Sequence, residues 1–129
     1  MTRIQLTKTL ADSLLAFSKD QYPNEMLVLL RAKKTRGVML IHQVVFAPFM
    51  AGGRAASTFN PYQVPIDSSI VGTAHSHPSG NNHPSLQDLL HVYGSVMMII
   101  AYPFMGAECI AVYDAHGTPL SWDLVDEEG

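Results

Sequence analysis

Cysteine is almost absent from this chain, where Cys109 stands alone. A single thiol cannot close an intramolecular disulfide, and no Cys-x-x-Cys pair is available for a zinc ribbon. This usage fits a reducing compartment, and the expectation is a cytoplasmic protein. Charge is also sparse, at 15% of residues, with 8 basic against 11 acidic side chains and a formal net charge of −3. Such a balance gives no electrostatic reason to expect a nucleic-acid partner. Long apolar runs are missing too. The longest, Val96 to Tyr102, falls far short of the roughly 20 residues a membrane helix needs. The opening stretch MTRIQLTKTLADSLL is interrupted by Lys8 and Asp12 and has no signal-peptide core. No membrane association is expected.

What is present is enough apolar material for a core. Hydrophobic residues make up 47% of 129 positions, which fits one ordinary domain spanning residues 1–129. Residues 7–20 are a predicted helix, with Thr7 or Thr9 as its cap and Leu10, Leu14 and Phe17 at helical spacing. After Pro23 and Asn24, Glu25 heads a dense apolar run, Met26 to Leu30, of the length of a buried strand. Arg31, Lys33, Lys34 and Arg36 then read as a solvated turn ending at Gly37, or alternatively as a docking patch for an acidic partner. Further strands are predicted over Val38–Ala47, Ser68–His77, Val96–Tyr102, Glu108–Asp114 and Leu120–Val125, and a helix from Ser85 to about Gly94. Residues 48–56 read as a Gly-rich loop, with Phe49 and Met50 packed beneath it or forming an apolar lip. Strands alternating with helices predict an α/β fold, a mixed β-sheet flanked by helices. Strand order is not readable at this level.

The chemistry concentrates in GTAHSHPSGNNHPSLQD, Gly72 to Asp88. Side chains on a strand alternate, so His75 and His77 project from one face and Ser76 points away. Asp88 follows in the first turn of the next predicted helix. Two imidazoles and a carboxylate are a ligand set for Zn²⁺, and three protein ligands leave the fourth position to water, as at catalytic zinc. Each piece also has a plain structural reading. The two histidines could be exposed at a strand end, and Ser85-Leu86-Gln87-Asp88 is a capping sequence for a helix start.

The conjunction is more specific. His75-Ser76-His77-Pro78, seven intervening residues from Pro78 to Pro84, then Ser85-x-x-Asp88, resembles the JAMM (MPN+) metalloprotease motif at every defined position. The separate run Pro23-Asn24-Glu25 before an apolar strand resembles the family's glutamate element, although Met26-Leu27 stands where many members carry Cys-Gly. Gly72-Thr73-Ala74 and Pro78-Ser79-Gly80 resemble the compact prokaryotic and archaeal members. The resemblance implies an MPN/JAMM fold, which is cytidine-deaminase-like, with one zinc ion per chain bound by His75, His77, Asp88 and a water. It implies Glu25 as general base and then acid, and Ser85 as hydrogen-bond donor to the oxyanion. The implied reaction is hydrolysis of the amide at the C-terminus of a ubiquitin-like modifier or sulfur-carrier protein joined to a lysine. The segment after Asp88 is short for the second insertion found in some polyubiquitin-specific members, which favours a simpler substrate. Oligomeric state stays open, a homodimer included.

Other histidines are weighed separately. His83 lies between the ligands and reads as a solvent-facing loop residue or as a contact to substrate or a metal. His91 reads as a helix-face residue, and His42 and His116 have no partner in the pattern. Cys109 reads as buried apolar filler. The competing function is a non-catalytic MPN scaffold, which typically lacks a metal ligand that this chain retains. A zinc deaminase needs Pro-Cys-x-x-Cys, which one cysteine excludes.

Overall fold

The computed structural model describes residues 2–46, 68–90 and 93–126, apart from the side chain of Gln87. In chain order the elements are β1 (Arg3–Thr7), α1 (Lys8–Gln21), β2 (Leu27–Thr35), β3 (Val38–Val45), β4 (Ile70–His77), α2 (Leu86–Leu90), β5 (Val96–Ala101), β6 (Ile110–Tyr113), β7 (Pro119–Leu120) and β8 (Trp122–Val125). The strands form one mixed sheet in the order β7-β6-β5-β4-β2-β3-β1-β8. β1 runs parallel to β3 and β8, and β4 parallel to β5, while the other pairings are antiparallel. The α/β mixed sheet with helices is therefore the architecture.

The order has a geometric consequence. β7 and β8 lie at opposite edges of the sheet yet are joined through Ser121 alone. Two Cα steps reach at most about 7 Å, so the edges must approach each other and the sheet must curl. α1 fills the hollow. Its Thr7 cap accepts the Leu10 N–H at 3.1 Å, and Leu10, Ala11, Leu14 and Leu15 form its buried stripe. Facing them are Val28 and Leu30 of β2, Ala74 of β4, Met98 and Ile100 of β5, and Val112 of β6. Alternation sends the neighbouring side chains, Leu27, His75, Ile99 and Ala111, to the opposite face, and the register aligns these four across the sheet.

Several boundaries differ from the sequence expectation. The helix begins at Lys8 as expected, but β1 precedes it where no strand was predicted. Ile4 and Leu6 alternate with Arg3 and Gln5, and pairing with two parallel neighbours stabilises a strand too short to announce itself. The charge run is not a turn. It continues β2 to Thr35, since Ala32 stays buried while Lys33 and Lys34 face solvent. The Arg31 guanidinium donates to Ser69 Oγ and Gln43 Oε1, each at 3.0 Å. The turn falls at Arg36-Gly37, where Gly37 takes φ 78°. The described span of α2 is Leu86–Leu90, residues 91–92 lie outside the described residues, and Gly94, where the helix was expected to stop, adopts φ 78° beside the Val71 carbonyl. The strand expected over Glu108–Asp114 begins as a 3-10 turn, Ala107–Cys109, before β6. Cys109 is buried in that turn. The strand expected over Leu120–Val125 is divided into β7 and β8 at the two edges. The expected loop 48–56, with Phe49 and Met50, and His91 lie outside the described residues.

Candidate metal centre and active site

The site forms where β4 ends. β4 and β5 are parallel and connected through α2, so α2 begins beyond the C-terminal end of β4. In such sheets the crevice outside the carboxyl ends of strands is where ligands bind. β4 delivers His75 and His77 to one face at its last turn of pleat, and the loop 78–84 carries the chain over to Ser85.

The three candidate ligands converge. His75 Nε2 lies 3.1 Å from His77 Nε2. His75 Nε2 is 3.2 Å from Asp88 Oδ1, and His77 Nε2 is 3.1 Å from Asp88 Oδ2. One ligand atom from each residue falls within a group spanning no more than 4.8 Å. For bonds of 2.0–2.1 Å, the edge of a zinc tetrahedron is about 3.3 Å, the size of the spacing between the two imidazole nitrogens, each of which meets a different oxygen of Asp88. The side chains of His75, His77 and Asp88 are 6%, 13% and 9% exposed, so water does little to screen them from one another.

The hydrogen bonds set the donor state. His77 Nδ1 lies 2.6 Å from the Asn81 carbonyl oxygen. A carbonyl can only accept, so Nδ1 carries a proton and Nε2 is the nitrogen left facing His75 and Asp88. Both imidazoles and the carboxylate thus crowd one small volume, an arrangement that a bound cation would suit. Burial disfavours charge on His77, but the Asp88 hydrogen bond, the Asn81 carbonyl and the charges of Asp88 and Glu25 override it and raise its pKa above the ordinary imidazole value. Burial likewise opposes the Asp88 charge. It is outweighed by hydrogen bonds from His75 and His77, the His75 charge and the Ser85 N–H, which hold the carboxyl far below the usual range. Among the described residues, this group fits a divalent metal by ligand type and spacing.

Ser85 and Asp88 cap α2 reciprocally. The Asp88 N–H donates to Ser85 Oγ at 3.0 Å, and the Ser85 N–H donates to Asp88 Oδ2 at 2.8 Å. The plain and functional readings of this sequence therefore coincide: the cap is what fixes Asp88 at the cluster. Ser85 Oγ accepts in that pair, so its O–H proton is left to point outward.

A cleft of about 660 Å³ opens over these groups, lined by Glu25, His77, Asn81, His83, Ser85 and Asp88 among others. Glu25, 50 positions upstream of His75 in sequence, reaches it because β2 pairs with β4 in the register Leu27 to His75. His83 is in the cleft wall. Tyr113 pins its loop by donating its hydroxyl to the Asn82 carbonyl at 2.6 Å, and His83 Nδ1 lies 3.5 Å from that hydroxyl. His42 sits on β3 beside α1 and His116 in the β6–β7 turn, and neither lines the cleft. No local pattern marks Asn81 or Tyr113, whose roles depend on how the loop folds back.

Residues 7–125 match the family model described as prokaryotic homologs of the JAB domain. A "probable metalloprotease" of Haloferax volcanii is 31% identical over 125 residues, covering 91% of this chain and 76% of that protein. A JAB1/MPN domain protein from Archaeoglobus fulgidus superposes with a TM-score of 0.73 at 25% identity, covering 95% of this chain and 99% of that one. A structure described as JAMM, a metalloprotease-like zinc site in the proteasome and signalosome, superposes with a TM-score of 0.69 at 23% identity, covering 97% and 100%. At that identity the second structure bears on the fold.

Proposed function

Because the chain belongs to the family of prokaryotic homologs of the JAB domain, with the JAMM/MPN fold, we propose that it is a zinc-dependent isopeptidase. The substrate we assign is the amide joining the C-terminus of a ubiquitin-like protein, a small modifier or a sulfur carrier, to a lysine. The observation that carries the reading is the cluster of His75, His77 and Asp88 in a cleft that also holds Glu25 and Ser85. Similarity to a probable metalloprotease supports a zinc peptidase in general terms, and the two-part motif in the sequence supports the finer substrate class.

His75, His77 and Asp88 would hold one zinc ion, with water as the fourth ligand. Bound zinc lowers the pKa of its water towards about 7 and polarises the scissile carbonyl. Glu25 takes a proton from the attacking water as the new C–O bond forms. It then gives that proton to the lysine nitrogen as the C–N bond breaks, leaving a carboxylic acid and an amine, which become carboxylate and ammonium when the water's second proton passes to the amine. Ser85 donates its hydroxyl proton as a hydrogen bond to the oxygen that gains charge in the tetrahedral stage. Asn81 holds the tautomer of His77 through its carbonyl. An extended C-terminal tail can reach this open cleft more readily than a folded chain can.

The test is incubation of the zinc-loaded protein with a ubiquitin-like protein linked to a lysine side chain. The expected result is release of the free modifier with an intact C-terminal carboxylate, stopped by chelation and restored by zinc. A protein that binds no zinc at micromolar metal and releases nothing would point instead to an MPN scaffold that docks partners without cutting them. No helix among the described residues is long and apolar enough to cross a membrane.

A further inference from the structure

Ser76 separates the two histidines and faces away from them, into the core around α1, where it is fully buried. Metal binding has no use for its hydroxyl. The hydroxyl has a partner nevertheless: it accepts the Met26 N–H at 2.7 Å, while the Ser76 N–H donates to the Met26 carbonyl at 3.0 Å. One residue of β4 thus holds both backbone polar groups of Met26.

This pairing lies at the point where the β2–β4 ladder stops, just beyond Leu27 and His75. A continued antiparallel ladder would place the Met26 N–H on the Ser76 carbonyl. The side-chain oxygen takes that N–H instead, so the chain can leave the regular ladder at Met26 without stranding a buried donor. Met26 is 1% exposed, so no solvent is available to take the place of the hydroxyl. The residue immediately before this clamp is Glu25, which lines the cleft.

We propose that Ser76 is a positioning residue for Glu25, setting the carboxylate over the cleft through the Met26 backbone. The proposal rests on the reading of Glu25 as proton carrier. The same strand pair then registers two things at once: His75 and His77 on one face of β4, and, through the residue between them, the Glu25 backbone just before β2. Removing the hydroxyl leaves the Met26 N–H without its acceptor and frees the approach to Glu25, while His75 and His77 keep their own partners. A displacement of about 1 Å at a catalytic group costs on the order of 100-fold in rate.

The test compares Ser76→Ala, Ser76→Thr and Ser76→Cys as zinc-loaded proteins acting on a lysine-linked ubiquitin-like conjugate. Amide exchange at Met26 is followed by NMR in the same samples. Ser76→Ala is expected to lower kcat by about 10- to 100-fold with KM within about twofold, to leave zinc content at the wild-type level, and to lose protection of the Met26 amide. Ser76→Thr restores both the rate and the protection. Ser76→Cys, close in volume and a poor acceptor, is expected to behave like alanine and keeps the test decisive if the alanine variant folds poorly. In a Glu25→Gln background, Ser76→Ala should cost less than about twofold more, since the two residues act through one group. Wild-type Met26 protection in Ser76→Ala, loss of zinc, or an undiminished rate loss in the Glu25→Gln background would overturn the proposal. Full activity of Glu25→Gln alone would instead overturn the role given to Glu25, and the single variant separates that failure from failure of the Ser76 clamp.

Discussion

Ser85 and Asp88 hold each other by two hydrogen bonds, of 3.0 and 2.8 Å, and the second ends on Asp88 Oδ2, the oxygen that also meets His77 Nε2. The start of α2 and the metal cluster are one structure. Ser85→Ala removes the cap acceptor and, on the proposed mechanism, the donor to the oxyanion. Expected losses are about 1 kcal/mol of stability and about 100-fold in kcat. Thermal melts and steady-state rates check both, and Ser85→Thr should retain most of each.

The cluster should behave as a stabilising metal site. Three buried ligand groups crowded without a cation repel or trap protons, and a bound ion relieves this. Zinc at about a thousand times its dissociation constant should stabilise the folded protein by about 4 kcal/mol. Asp88→Ala should fold when metal-free and show no such shift. Melting curves of stripped and zinc-loaded samples measure it, and an equal zinc shift in both proteins would place the metal elsewhere.

Gly72 lies where β4 meets the start of β5. A Cβ there would sit 1.8 Å from the Val96 carbonyl oxygen, a backbone atom that cannot turn aside. Gly72→Ala must push β4 and β5 apart three residues from His75. The expected cost is about 3 kcal/mol or more, read by denaturant titration, together with weaker zinc binding.

Asp114 closes the β6–β7 turn by accepting the N–H groups of His116 and Thr118 at 2.8 and 2.9 Å. The Thr118 and His116 hydrogen bonds hold its carboxyl below the ordinary value of 3.8. A folded value below the unfolded one means the contribution is complete above pH 3.8 and fades as pH falls through the folded value. Asp114→Asn keeps an acceptor and removes the charge. It should melt below wild type at pH 7 and converge with it in acid. A gap of constant size at every pH would contradict the assignment.

The parts of this protein legible in its sequence are those fixed by local chemistry. Thr7 before a leucine stripe gave α1, alternation gave His75 and His77 one face, and Ser85-x-x-Asp88 gave a capped helix whether or not a metal was in mind. The resemblance to the JAMM motif joined Glu25 to these residues, and the Leu27–His75 register places it in the same cleft. What was hidden depended on partners distant in sequence. β1 exists because β3 and β8 flank it. The charged half of β2 is a strand because Ala32 has a core to face and Arg31 has Ser69 and Gln43 to bond. Ser76 was read only as pointing away from the histidines. Its bond to Met26 crosses 50 residues of sequence, and nothing local announces it.

On the proposed mechanism, Glu25 carries the proton at a zinc centre built from His75, His77 and Asp88. The most direct test is single-turnover cleavage of a lysine-linked ubiquitin-like conjugate by Glu25→Gln, with zinc content measured on the same sample. Glutamine keeps the shape and cannot take the proton. The expected outcome is the full wild-type zinc content with a rate lowered by about 100-fold or more. Wild-type cleavage by the zinc-loaded variant would contradict the account.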